Sequence, residues 1–181
     1  MKGRLLAAPR TVARFDRLAE RGFDRLRGKP VADHLFYGAS ELGDFGLIWV
    51  ILATLKGLRK GDDLALALRM IALMGLESIL VNGIIKSFFR RTRPPWEVER
   101  PRRLRRPLTS SFPSGHATSA TSAAMVLSLD DELWPLYVVV AAIVGSSRIH
   151  VKIHHASDVA AGVALGVVLG IIGRRLMAAP R

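Results

Sequence analysis

Three short segments carry the residues whose types and spacing could do chemistry. Lys86 and Arg93 precede Pro94, Ser114-Gly115-His116 follows Pro113, and Arg148 is followed by His154 and Asp158. Lys86, Arg93 and Arg148 supply positive charge and forked donors suited to a phosphate dianion. Ser114 and Gly115 stand where a helix begins after a proline, and a helix start offers free N–H groups and partial positive charge to an anion. His154 can attack phosphorus as a neutral imidazole, with Asp158 one helical turn away to hold the tautomer and stabilise developing charge. His116 can protonate a leaving oxygen. The chain has no cysteine, which excludes a thiolate nucleophile, a disulfide framework and Cys-ligated zinc. No acidic cluster suited to Mg²⁺ or Ca²⁺ accompanies these residues, so neither a metal nor a cofactor is called for.

The elements that must position these groups are helices rich in apolar residues. His154, Asp158, Gly162, Gly166 and Gly170 recur at steps of four. They form one stripe whose glycines let a neighbouring helix approach closely, so the stripe is an interior face and the His–Asp pair sits at its end. Hydrophobic runs predict about five membrane spans: Leu35 to about Leu58, Leu64 to Phe89, Ser114 to Leu129, Leu133 towards Arg148, and Ala156 to Ile172. The charge-free stretches Leu133–Val144 and Val159–Ile172 are apolar on every face, and a chain of 181 residues cannot bury several such helices in water. The fold class expected is therefore an all-α integral-membrane bundle. Within the second span, Ser78, Asn82 and Lys86 share a side, the first two as interhelical hydrogen-bonding groups. Residues 1–34 form a separate interfacial segment, with a helix over Thr11 to Arg27 carrying Val12, Phe15, Leu18, Ala19, Phe23 and Leu26 near one face and four arginines near another. Residues 35–181 form the catalytic domain. Alternation across the bilayer brings all three motif segments to one membrane surface.

These segments resemble the type 2 phosphatidic acid phosphatase (PAP2) superfamily, whose pattern is K-x6-R-P, then P-S-G-H, then S-R-x5-H-x3-D. Every specified position is matched in order over residues 86–158. The resemblance implies a metal-independent phosphatase with a phosphohistidine intermediate on His154, supported by Asp158, with His116 as general acid. It implies that Lys86, Arg93, Ser114, Gly115 and Arg148 hold the phosphate. The spacing selects His154 over its neighbours His150 and His155, which are read as supporting or interfacial residues. Members of the superfamily act on several lipid phosphates, so the motifs do not name a substrate; a membrane-embedded bundle points to a lipid phosphate monoester or diphosphate. A polyprenyl-linked phosphate, such as decaprenylphosphoryl-5-phosphoribose phosphate or a polyprenyl diphosphate, and phosphatidylglycerophosphate or phosphatidate are the classes expected. A vanadium-dependent haloperoxidase and a non-catalytic membrane binding protein are the alternatives on the same fold.

The formal net charge is +12, which first suggests nucleic acid. The basic loop 90–107 contains only Trp96 among aromatic residues, however, so a base-stacking surface is lacking and no nucleic-acid partner is expected. The charge is concentrated instead on the motif-bearing face, with 20 basic residues against 6 on the other. The positive-inside rule then assigns the site to the cytoplasmic face of a bacterial plasma membrane. Anionic lipids are the expected surface partner, and loop 90–107 reads either as a lid or as a topology signal.

Overall fold

The structure is a computed structural model that describes residues 9–61, 65–95, 101, 104 and 107–177; half of the Arg-rich loop, including Trp96, lies outside the described residues. Helix α1 (Arg10–Asp24) lies along the ends of the bundle helices, and α2 (Pro30–Leu42) starts with a proline at its first position. The expected first span then breaks. A short 3₁₀ turn (Asp44–Gly46) separates α2 from α3 (Leu47–Lys60), and the two helices are bent by 68° at the break. Phe45 and Gly46 both take left-handed backbone, at φ 56° and 71°, a conformation that glycine adopts freely and that ends a helix. Hydropathy cannot register this interruption, because every residue from Phe45 to Trp49 except glycine is apolar.

Helix α4 (Ala65–Ser78) continues into a π-helical stretch (Ile79–Ile84) and a 3₁₀ turn (Ile85–Phe88). Such π-segments rotate the residues that follow relative to a regular helix and are frequent at functional sites. Helices α5 (Gly115–Leu127), α6 (Trp134–His150) and α7 (Ala156–Met177) complete the bundle, and no strand occurs among the described residues. By length and hydropathy Ala65–Phe88 and Ala156–Met177 can each cross a membrane, and the bent α2–α3 pair makes a third candidate. The other two expected spans fall short as helices: α5 with 13 residues reaches about 20 Å and α6 with 17 about 25 Å, against a hydrocarbon core of about 30 Å.

Helix α5 is central. Ala117, Thr118, Ala120, Ser122, Ala123, Ala124, Val126 and Leu127 are all buried, so small side chains surround the helix on most sides and neighbours come close. The glycine stripe of α7 uses this. A Cβ on Gly162 would lie 2.5 Å from the Ser114 carbonyl oxygen, one on Gly166 would lie 2.6 Å from that of Thr118, and one on Gly170 would lie 2.7 Å from Met125 Sδ. The stripe therefore packs within the bundle, against α5. Trp49, Met70, Leu127, Tyr137 and Val144 fill the rest of the core. Outward-facing Ile71, Leu76 and Ile79 of the α4 span and Val168, Ile171 and Ile172 of α7 are exposed, an apolar exterior suited to lipid tails.

Candidate active site

The site forms where the start of α5, the end of α6 and the start of α7 meet. Ser114 is the N-cap of α5: its Oγ accepts from the Ala117 N–H, and its own N–H donates to the Asp158 carbonyl at 3.0 Å. That backbone bond ties the P-S-G-H segment to the His–Asp segment. Arg148 lies in the last turn of α6, and its carbonyl accepts the N–H groups of Ile153 and His154 at 3.1 and 3.0 Å. The tight loop so formed presents the His154 ring. Asp158 lies in the first turn of α7, where its Oδ2 accepts the His155 N–H at 2.9 Å in the manner of a capping box.

His154 and Asp158 are both buried, with Nδ1 of the imidazole 3.6 Å from Asp158 Oδ2. This is just beyond hydrogen-bond length, a separation that catalytic pairs commonly show before substrate tightens them. The other ring nitrogen, Nε2, lies 3.2 Å from Arg93 Nη1. Burial, reinforced by the charges of Arg148 and Arg93 and opposed by Asp158, pushes the His154 pKa down to about 3. The ring is thus neutral, the state in which it can act as a nucleophile.

Arg93 is fixed by the carbonyls of Ile153, Thr109 and Ser110, at 3.0, 3.1 and 3.2 Å. Arg148 Nη1 donates to Ser40 Oγ on α2. Lys86 is buried and interacts electrostatically with Arg93, Arg148 and Asp158. It follows the π-helical stretch directly and points inward, only 5% exposed. Three cations thus converge around the His154–Asp158 pair. Gly115 opens α5 against Asn82, whose Oδ1 would stand 3.1 Å from an added Cβ; Asn82 donates to Ser78 Oγ at 3.2 Å, a bond along its own segment where an interhelical one was expected. His116 faces the α2–α3 break, with Nε2 3.2 Å from both the Ser40 carbonyl and Asp44 Oδ1. Every motif residue from Lys86 to Asp158 singled out as a site candidate is therefore at this end of the bundle. Among the described residues no group of three or more His, Cys, Asp and Glu side chains converges as a metal centre requires.

His150 and His155 are engaged with partners other than His154. His150 is buried, bonded to Asp33 at 2.7 Å and stacked on Phe36, and His155 Nε2 lies 3.2 Å from the Thr92 carbonyl. Sequence reading missed Ser40 and Asp44, which no local pattern connects to residues 70 or more positions away. It also missed Arg91, which donates to Asp158 Oδ1 at 2.6 Å, because that residue is one of a run of arginines.

The family model of the PAP2 superfamily matches residues 65–180. Two decaprenylphosphoryl-5-phosphoribose phosphatases, from Mycobacterium tuberculosis strains CDC 1551 / Oshkosh and ATCC 25618 / H37Rv, are each 36% identical over 131 residues, covering 68% of this chain and 68% of their own. Among solved structures, Aquifex aeolicus LpxE aligns with a TM-score of 0.70 at 27% identity, covering 95% of this chain and 99% of its own. A transmembrane PAP2 type phosphatidylglycerolphosphate phosphatase from Bacillus subtilis aligns with a TM-score of 0.72 at 22% identity, covering 96% and 89%, a likeness of fold. With the motif set assembled as described, the chain belongs to the PAP2 superfamily. It is an integral membrane protein and a lipid phosphatase of the PAP2 type.

Proposed function

We propose that this protein removes phosphate from a polyprenyl-linked phosphate or another lipid phosphate monoester or diphosphate through a phosphohistidine on His154. The observation that carries the reading is the arrangement at the imidazole: Asp158 on the Nδ1 side and Arg93 on the Nε2 side, 3.6 and 3.2 Å away. A phosphoryl group held by Lys86, Arg93, Arg148, Ser114 and Gly115 meets the Nε2 lone pair. The N–P bond forms as the P–O bond to the lipid breaks, and the leaving oxygen takes a proton from His116. Water, giving a proton to the now deprotonated His116, then attacks phosphorus; the N–P bond breaks, inorganic phosphate leaves, and both His154 and His116 are restored. Asp158 stabilises the charge on the imidazole throughout. The resident groups supply charge, nucleophile and proton, so no cofactor or metal is assigned a step.

The likeness to the mycobacterial decaprenylphosphoryl-5-phosphoribose phosphatases supports a polyprenyl-linked substrate, and the apolar exterior supports lipid access from the bilayer. The excess of basic residues on the motif-bearing face, 20 against 6, supports a cytoplasmic active site in a five-span bundle, with residues 1–34 as an interfacial segment on anionic lipid. The test is phosphate release by purified protein from a panel of lipid phosphates in EDTA. Wild type releases phosphate and His154→Ala does not; equal release by the variant would overturn the nucleophile. For sidedness, a single cysteine placed in loop 90–107 stays unlabelled by an impermeant reagent in intact cells, and labelling overturns the cytoplasmic assignment.

A further inference from the structure

The Asp158 carboxylate is held from a direction that the mechanism does not use. Its Oδ2 serves His154 and the His155 N–H, whereas its Oδ1 accepts from Arg91 Nη1 at 2.6 Å. The same Nη1 reaches Ser157 Oγ at 2.8 Å, and Nη2 of Arg91 reaches Asp16 Oδ2 on α1 at 2.6 Å. Asp16 closes the ring. Its Oδ1 accepts the Ser157 N–H at 2.8 Å and its Oδ2 accepts the Ser157 hydroxyl at 2.9 Å. A carboxylate on α1 therefore takes the place of a capping side chain at the start of α7. The Arg91 backbone is fixed too: its N–H donates to Ser110 Oγ at 3.2 Å and its carbonyl accepts the Ser111 N–H at 3.1 Å. Asp16, Arg91 and Asp158 have side chains 10%, 20% and 0% exposed, so water competes weakly for these bonds.

We infer that Arg91 and Asp16 are positioning residues for the catalytic pair, and that α1 thereby completes the active site. The forked guanidinium spans two carboxylates at once, a task that a lysine ammonium cannot duplicate. It pins Oδ1, which leaves Oδ2 as the oxygen aimed at His154. The other side of α1 presents Phe15 and Leu18 beside Arg14, Arg17 and Arg21, all exposed. The helix that aims Asp158 is thus also the one that offers an amphipathic face to the membrane surface.

The inference rests on the proposed phosphohistidine chemistry, and its test separates the two. Full-length wild type, Asp16→Asn, Arg91→Lys, Arg91→Gln and the double variant Asp16→Asn/Arg91→Gln are assayed in mixed micelles, with the thermal midpoint of each recorded. Arg91→Gln is expected to lose about a hundredfold in kcat and Asp16→Asn about tenfold, both with KM within about twofold, since misplacing a catalytic group by about 1 Å costs on this order. Arg91→Lys fails to restore the rate. The double variant is no slower than Arg91→Gln, because the two side chains act as one unit. Asp16→Asn keeps the shape of its side chain and decides the matter if Arg91→Gln does not fold. If wild type is active and His154→Ala is dead, yet Asp16→Asn keeps wild-type kcat or loses only in KM, the inference falls while the phosphatase mechanism stands. If wild type releases no phosphate, the mechanism falls first.

Discussion

The two ends of the bundle use nearly the same ingredients to opposite effect. At the end away from the motifs, Asp131 in the α5–α6 loop accepts from Arg59, from the Leu133 N–H at 3.0 Å and from the Tyr137 hydroxyl at 2.8 Å. Lys56 stands 3.8 Å away and donates to the carbonyls of Leu127 and Leu129, capping the end of α5. Burial raises the Asp131 pKa, but Arg59, the Leu133 amide and Tyr137 outweigh it and pull the value down to about 2. Every bond of that carboxylate is spent on the fold. At the motif end, Asp158 is as deeply buried and also faces an arginine, yet one oxygen is aimed at a neutral imidazole whose second nitrogen meets Arg93. A closed set of partners makes a clasp, and a set left open by one atom's reach makes a site.

The comparison breaks most sharply at His154. His154→Ala should abolish EDTA-resistant phosphate release, and any residual turnover near wild type sinks the distinction between the ends. Asp158→Asn should follow, with kcat falling by about three to four orders of magnitude and KM little changed, read by steady-state assay in mixed micelles; an effect below tenfold would make Asp158 another clasp. Gly166→Val probes what joins the ends, since even a Cβ there comes within 2.6 Å of the Thr118 carbonyl and 2.7 Å of Thr121 Cβ. It should cost about 3 kcal/mol or more by overpacking and appear as lost folded yield in size-exclusion profiles. The smallest effect on turnover belongs to Asp131→Asn, which should leave kcat within about twofold while lowering the thermal midpoint.

The pH dependence sharpens the last case. A carboxylate whose folded pKa is depressed contributes stability that is present above its unfolded value and lost as pH falls through the folded value. For Asp131 that window runs from about 4 down to about 2 and is worth on the order of 2 kcal/mol. The thermal midpoint of wild type should therefore fall across the window more steeply than that of Asp131→Asn; parallel curves would show that the clasp contributes nothing.

Much of the site was legible because its chemistry is local in sequence. Lys86 and Arg93, Ser114 to His116, and His154 with Asp158 each occupy one helix end or one turn, where spacing translates directly into geometry. The glycine stripe was legible for the same reason, since steps of four on a helix can only make a face. The break at residues 43–46 was not, because hydropathy averages over the backbone angles of Phe45 and Gly46. Nor was the inward orientation of Lys86, which follows a π-helical stretch that the residues Ile79 to Ile84 do not announce.

The amino-acid sequence by itself determined the family, the residues proposed as nucleophile, partner and phosphate-holding cations, and the helical, lipid-compatible character of the chain. Those follow from residue type and period, which act over one or two helical turns. Only the tertiary structure decided which arginine of the basic loop reaches Asp158, that Asp16 of α1 closes that network, and that Ser40 and Asp44 face Arg148 and His116. Such contacts join residues from 67 to more than 100 positions apart, a separation at which residue type and period carry no information and only the packing of the helices decides.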